Sequence, residues 1–278
     1  MRERKAFSLD RTFLIDLTRC TGCRGCQVAC KEWNQMEAEK TAFFEGEGYQ
    51  NPLAMSEHTL TRIKFRDYQK DGRNEFAFYK EMCMHCNQPA CASVCPVGAF
   101  RKTPEGPVIY DAKRCIGCRF CMVACPFGVP KYQWSKTLPL VVKCTGCYSR
   151  VKAGLVPACA KACPSAIVYG NRRDMVDEAQ RRLAAWPAKY INRIYGLGEA
   201  GGTSVLYLSE LPFDELGFKN VTSRPLPSYT WAALRLVPGI FMGVGASLTF
   251  ISWLTQRKDR LRNEEETRKA APARPEEK

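Results

Sequence analysis

Apolar positions along most of this chain come in short bursts, and the bursts carry the period and length of strands rather than of long amphipathic helices. Phe13 to Leu17 is a short apolar strand. Thr59 to Phe65 and Glu75 to Tyr79 flank Asp71-Gly72 and predict a hairpin with a somewhat longer loop. Val108 to Tyr110, Ile167 to Tyr169 and Ser204 to Leu208 are further short strands, whereas Asp174 to Trp186 has a helical pattern that Pro187 stops. Otherwise residues 188 to 222 read as loops that cover surfaces, and Arg224-Pro225-Leu226-Pro227 reads as a stiff linker.

The far end differs in kind. Leu236 to Gln256 is a run of 21 residues without a charge, close to the length that crosses a bilayer as a helix. Trp231 and Trp253 stand near its ends, as interfacial aromatics do. Gly239, Gly243 and Ser247 fall four apart on one face, a small-residue surface suited to close packing against another transmembrane helix. Arg257, Lys258, Arg260, Arg262, Arg268 and Lys269 follow the run, against Lys219, Arg224 and Arg235 before it, which predicts a cytoplasmic tail and a periplasmic body on the inner membrane. Residues 1 to 11 are polar and basic with no apolar core or small-residue cleavage site, so no secretory leader is expected. A folded, loaded body would then cross only with a partner that carries an export signal.

Cysteine decides the chemistry. The sixteen cysteines form four groups of four: Cys20, Cys23, Cys26, Cys30; Cys83, Cys86, Cys91, Cys95; Cys115, Cys118, Cys121, Cys125; and Cys144, Cys147, Cys159, Cys163. Each group opens C-x2-C and closes C-x3-C, and Pro96, Pro126 and Pro164 follow three of the final cysteines. This is the ligand run of bacterial 4Fe-4S ferredoxins. A tight loop aims three sulfurs at one cubane, and the fourth cysteine, on a helix leaving that loop, reaches a neighbouring cluster. Disulfides fit poorly, because thiols packed this densely are badly placed for bridging. Zinc ribbons take paired C-x2-C units, and the compact triples of the first and third groups have no use in one.

Charge follows from the same reading. The formal +14 would suggest nucleic acid, but it counts cysteine as neutral. Four cubanes at about −2 each leave about +6. No basic run is interleaved with stacking aromatics, so no nucleic-acid partner is expected. Lys113, Arg114, Arg119, Lys143 and Arg150 lie beside ligand cysteines, either as cations that raise reduction potentials or as solvated loop charges. His58 and His85 are the only histidines; His85, inside CMHC, either packs or tunes a cluster. No phosphate-cradling loop or nucleophile-base pair stands out. A catalytic cluster would leave one iron open, and here every cluster would have four thiolates.

The intervals between motifs suggest an α+β fold of two ferredoxin-like 4Fe-4S units, with motifs two and three inserted between motifs one and four, plus one C-terminal transmembrane helix. The expected boundaries are 1–82 with 141–222 for the outer unit, 83–140 for the inserted unit, 223–235 for a linker, 236–256 for the helix and 257–278 for the tail. Ferredoxin architecture then implies four 4Fe-4S clusters by cross-ligation. Cys20, Cys23 and Cys26 would share one with Cys163, and Cys144, Cys147 and Cys159 would share one with Cys30. Cys83, Cys86 and Cys91 would pair with Cys125, and Cys115, Cys118 and Cys121 with Cys95.

CTGCRGCQVACKEWN, the following YQNPLAMSEHTLTRIKF, the CMHC of motif two and the single C-terminal anchor resemble the beta subunit of respiratory membrane-bound formate dehydrogenase, among the four-cluster subunits of molybdopterin oxidoreductases. Motif one has Lys31 in place of the ferredoxin proline, as those subunits do. The resemblance implies a non-catalytic wire in anaerobic respiration. A Mo/W-pterin subunit would feed the Cys20 cluster, the Cys30 cluster would follow, and the inserted unit would pass electrons to a membrane cytochrome b and quinone. The Gly239, Gly243 and Ser247 face would meet that membrane subunit. GGTSVLYLSELPFDELGF, residues 201 to 218, also resembles the iron-sulfur subunit of periplasmic membrane-bound nickel-iron hydrogenases, which generally carry their own leader. Nitrate-reductase beta subunits are much longer and have a tryptophan at one ligand position, where this chain has only cysteine.

Overall fold

The computed structural model describes residues 10–41 and 49–270. The described residues up to Pro227 form one compact unit, and those from Ser228 onward form another. The first unit has nine strands: β1 (Arg11–Asp16), β2 (Arg62–Lys70), β3 (Arg73–Glu81), β4 (Phe100–Lys102), β5 (Val108–Tyr110), β6 (Lys131–Tyr132), β7 (Val141–Val142), β8 (Ile167–Asn171) and β9 (Val205–Leu208). Its helices are short: α1 (Gly25–Trp33), α2 (Ala90–Ser93), α3 (Phe120–Ala124), α4 (Tyr148–Lys152) and α5 (Ala158–Lys161), with α6 (Arg172–Ala185) the exception.

β1 is the central strand of a sheet in the order β8-β1-β9, antiparallel to β8 and parallel to β9. It is buried on both faces, which is why it reads as a continuous apolar run. Phe13 and Ile15 face a core that also holds Cys26, Cys30, Cys144 and Cys159. Leu14 faces the other way, against Ala179 of α6 with Leu206 and Leu208 of β9.

β2 and β3 pair in register from Arg62↔Glu81 to Lys70↔Arg73. The loop between them is only Asp71-Gly72, both with positive φ, at 50° and 74°. This is the geometry of a two-residue hairpin turn whose twist matches the strands, so the hairpin is longer and its loop shorter than the apolar pattern predicts. The extra residues lie in a solvent-exposed tip, where the backbone ladder rather than burial holds them.

Residues 83–140 contribute the antiparallel pairs β4/β5 and, with Val141 and Val142, β6/β7. They do not separate as a compact body. Cys83, Met84 and Val129 are buried in the same core as Cys26, Cys30 and Cys144, while Ala99, Phe100, Cys121 and Val141 form a smaller core of their own.

Pro227 is the first residue of α7 (Pro227–Leu234), which makes the later part of the expected linker helical and opens the second unit. α8 (Val237–Ala270) then runs for 34 residues. The stretch Val237–Thr267 is long and apolar enough to cross a membrane, and none of its most apolar window is buried. The helix outlasts the uncharged run because i,i+3 and i,i+4 ion pairs, Asp259 with Arg262 and Glu265 with Lys269, support its polar end. Nothing lies within 4 Å of where a side chain on Gly239 or Gly243 would begin, and Ser247 Oγ donates to the Gly243 carbonyl oxygen at 2.8 Å. The tail beyond residue 270 and the first nine residues lie outside the described residues.

Candidate metal centres

Motifs one and three are delivered in the same way. β1 ends at Asp16, whose carboxylate accepts the Thr18 N–H at 3.2 Å and so caps a single tight turn over residues 17–19 that leads into Cys20. After β5, Asp111 accepts the Lys113 N–H at 3.0 Å, and an equivalent turn leads into Cys115. The backbone then turns left-handed twice, at Gly22 and Arg24 (φ 66° and 61°) and at Gly117 and Arg119 (φ 70° and 63°). α1 and α3 start directly afterwards, so the third cysteine of each motif sits in a first helical turn. Motif four makes its turn at Gly146 and Cys147. Motif two has His85 at the place of these glycines, also left-handed at φ 48°.

These turns aim amide hydrogens at sulfur. Gly117 N lies 3.4 Å from Cys115 Sγ and Gly146 N 3.3 Å from Cys144 Sγ. The closing cysteines are served too, with Ala99 N at 3.2 Å from Cys95 Sγ and Ala166 N at 3.3 Å from Cys163 Sγ. Donors of this kind favour thiolate and, on a cluster, set its potential.

Two cavities gather the outer cysteines. Cys20, Cys23, Cys26 and Cys163 line one, walled by Ile15, Ile63 and Lys80. Cys30, Cys144, Cys147 and Cys159 line a second, walled by Phe13, Met82 and again Lys80. The thiols of residues 83–140 group similarly. Burial pushes Cys86 up, and Cys83, Cys125 and Cys91 add to it; burial pushes Cys121 up to about 11, with Cys118, Cys115 and Cys95 adding. The closing cysteine of each motif thus stands among thiols of a different motif.

Burial also lifts Cys20 to about 11, with contributions from Cys26, Cys163 and Cys23. It lifts Cys30 to about 12, where Lys80 pulls back and Cys159, Cys147 and Cys26 add. Buried thiols of this kind release their protons only to a cation that replaces them. Among the described residues no three His, Cys, Asp or Glu side chains converge closely enough for a single metal ion. The two outer tetrads instead frame cavities with thiols on the walls, which suits a polynuclear cluster with its own inorganic sulfide better than a tetrahedral zinc ion.

Comparison with known proteins agrees with this chemistry. Two models described as 4Fe-4S dicluster domains match residues 19–99 and 74–173. A protein of Nitratidesulfovibrio vulgaris is 40% identical over 256 residues, covering 91% of this chain and 69% of its own length. The Escherichia coli K12 formate dehydrogenase, nitrate-inducible, iron-sulfur subunit is 38% identical over 199 residues, 70% of this chain and 66% of its own. The Hydrogenase-2 operon protein HybA of Escherichia coli O157:H7 is 35% identical over 239 residues, 73% of this chain and 71% of its own. The chain belongs to the 4Fe-4S dicluster iron-sulfur subunits.

As such a subunit it carries multiple 4Fe-4S clusters and transfers electrons within an oxidoreductase complex, without a catalytic site of its own. The cations expected beside the ligands fall into different surroundings. Lys113 and Arg114 are exposed, Arg119 stacks on Tyr132 and Trp134, and Arg150 stacks on Trp33 at 4.6 Å. Lys143 alone among the five is buried, 3% exposed, with Nζ bonded to the Val108 and Cys144 carbonyl oxygens and 3.9 Å from Cys83 Sγ.

Two further groups of this iron-sulfur subunit, Lys80 and Lys102, matter beside His85 of the CMHC motif. Lys80, on β3, is 1% exposed and borders both outer cavities. Burial pulls its ammonium down, but Cys26, Cys159, Cys30 and Cys144 outweigh that and the net displacement is upward. Lys102 donates to the His85 carbonyl oxygen at 2.8 Å and to Ser204 Oγ at 2.7 Å, and burial lowers it to about 8. His85 is buried and accepts the Val108 N–H on Nδ1 at 3.0 Å, which leaves its ring hydrogen on Nε2. Burial, then Lys143 and Lys102, hold it well below its ordinary value, so the ring is neutral.

Proposed function

We propose that this chain is the electron-transfer subunit of a membrane-bound complex of the formate dehydrogenase type, relaying electrons from a Mo/W-pterin catalytic subunit toward a membrane cytochrome b and quinone. The observation that carries this reading is the pair of outer cavities, each lined by four thiols drawn from motifs one and four, in a chain 38% identical to a formate dehydrogenase iron-sulfur subunit.

In this reading the ligand sets are Cys20, Cys23, Cys26 with Cys163; Cys30 with Cys144, Cys147, Cys159; Cys83, Cys86, Cys91 with Cys125; and Cys95 with Cys115, Cys118, Cys121. Motifs two and three are thereby nested between motifs one and four. The four clusters, when bound, supply one-electron transfer. The chain's own residues do the rest. Turn amides such as Gly117 N and Gly146 N stabilise the sulfur charge, and apolar walls such as Ile15, Ile63, Phe13 and Met82 limit water. Links between neighbouring tetrads support a linear order: Lys80 borders the first two, Lys143 and His85 connect Cys144 with residues 83–85, and Cys121 acts on Cys91 between the inserted pair.

α8 anchors the chain in the inner membrane, with Trp253 under Arg257 at 5.5 Å marking the polar boundary. Its basic flank favours a cytoplasmic tail and a periplasmic body, and the Gly239, Gly243 and Ser247 face suits a membrane subunit. A second reading has its own support: HybA, at 35% identity, covers 73% of this chain, against 70% for the formate dehydrogenase subunit. Purification of the intact membrane complex and identification of its large subunit tests the choice. A molybdenum or tungsten pterin protein is expected, and a nickel-iron protein would move the assignment to the hydrogenase type.

A further inference from the structure

Lys80 lies at an inward position of β3, two residues from Phe78 and two from Met82, where strand alternation calls for an apolar side chain. It is paired in register with buried Ile63 and is 1% exposed. Among the described residues its ammonium's one hydrogen bond to protein is to Thr61 Oγ1, whose own hydrogen is spent on the Glu81 carbonyl oxygen at 2.9 Å, so Thr61 can only accept. No carboxylate among the described residues forms an ion pair with Lys80, whereas the neighbouring Glu81 carboxylate is taken by Arg62. A buried ammonium held only by a hydroxyl is strongly unfavourable unless something negative stands close by. What stands close by is sulfur on two sides, because Lys80 alone among the described basic residues lines both the Cys20 cavity and the Cys30 cavity.

We propose that Lys80 is a cation shared by the two outer clusters, which raises the reduction potentials of both together. The proposal rests on the ligand sets given above. One-electron reduction takes a four-thiolate cubane site from a net charge of about −2 to about −3. A fixed positive charge between two such sites stabilises the reduced form of each, and the low polarity of the surroundings strengthens the effect. Lys80 is a positioning and tuning residue and does not ligate iron.

The test is a dithionite and ferricyanide redox titration, followed by electron paramagnetic resonance, of the intact complex carrying wild-type chain, Lys80→Met or Lys80→Arg. Methionine keeps the length and loses the charge; arginine keeps the charge. With iron content unchanged, Lys80→Met is expected to make two of the four one-electron steps at least tenfold less favourable, a fall of 59 mV each. The other two should hold, and Lys80→Arg should restore both. Unchanged potentials, a fall in one step alone, or an arginine variant that behaves like methionine would overturn the proposal. Should Lys80→Met lose iron, Lys80→Gln is titrated in its place and read in the same way. Iron loss common to the Met, Gln and Arg variants would also overturn it, by making Lys80 a packing residue. Failure of the ligand reading is distinguishable, because wild-type protein would then lack four cubane steps whatever Lys80 does.

Discussion

His85 Nε2 lies 3.6 Å from Cys144 Sγ, so a residue within motif two donates a hydrogen bond to a cysteine of motif four. The donor is fixed because the other ring nitrogen already accepts from Val108 N. Lys143, which precedes Cys144, reaches back to 3.9 Å from Cys83 Sγ. The outer and inserted cysteine groups are therefore tied by two reciprocal contacts to sulfur.

Replacing His85 with phenylalanine keeps a ring and removes the donor. The site that includes Cys144 should become harder to reduce by about 1 kcal/mol, roughly 40 mV for one electron. A redox titration that resolves four steps should show one of them lowered by that amount, and a shift spread evenly over all four would argue for a global change in fold instead.

Gly146 has φ +65° in the turn that carries Cys144 and Cys147, and a Cβ there would lie 2.9 Å from Pro107 Cβ and 3.4 Å from the His85 ring. Gly146→Ala combines backbone strain with a contact that has little room to yield, and is expected to destabilise the protein by about 1–3 kcal/mol. Iron retained per chain after mild heating should fall. Gly154→Ala, also left-handed but with open space around it, carries the backbone cost alone and should fall less.

Asp16 is fully buried and accepts from Arg182 at 2.8 Å and from the Tyr190 hydroxyl at 2.8 Å, besides capping the turn before Cys20. Arg182→Met strips this carboxylate of its only ion-pair partner among the described residues and should cost about 3–5 kcal/mol. Arg181→Met, one residue away and exposed, should stay within about 0.5 kcal/mol. Thermal unfolding of the two variants side by side checks the contrast.

Metal-free chain should release protons as it is reconstituted. With Cys20 lifted to about 11 and Cys30 and Cys91 to about 12, chiefly by burial, these thiols are protonated near neutral pH and must lose protons to bind iron. Because their folded values lie above that of a free thiol, lower pH works against cluster binding and higher pH favours it. Proton release measured with an indicator dye during anaerobic reconstitution checks this, and reconstitution with no proton release would contradict it.

Much of this site is legible in the chain itself, because ligand spacing is a local property. The tetrads follow from C-x2-C and C-x3-C intervals, and β1, β5, β8 and α6 lie close to where the apolar pattern puts them. What the pattern misses is decided at long range. Lys80 looks like one polar residue of a hairpin, and only the packing of β3 against motifs one and four reveals the cavities on either side. His85 is visible as the odd residue of CMHC, yet its donor role depends on Val108 and on Cys144, 59 positions away. The hairpin tip is misjudged for the opposite reason, since its strands persist on backbone pairing where side chains signal nothing. The inserted unit shares a core with the outer one because Cys83 and Met84 are buried with Cys144 and Cys159, a relation no interval encodes.

On α8, the proposed function expects Gly243→Ile to weaken association with a membrane subunit, since a branched side chain would fill the face that Gly239 and Ser247 share. Phe241→Leu, two residues away in a different direction, should not. The fraction of partner that co-purifies in mild detergent reads the difference.

Iron with acid-labile sulfide per anaerobically purified chain measures directly what the sixteen cysteines hold. Four cubanes predict about sixteen irons and about sixteen sulfides. Zinc at about one ion per four cysteines, with no sulfide, would contradict it.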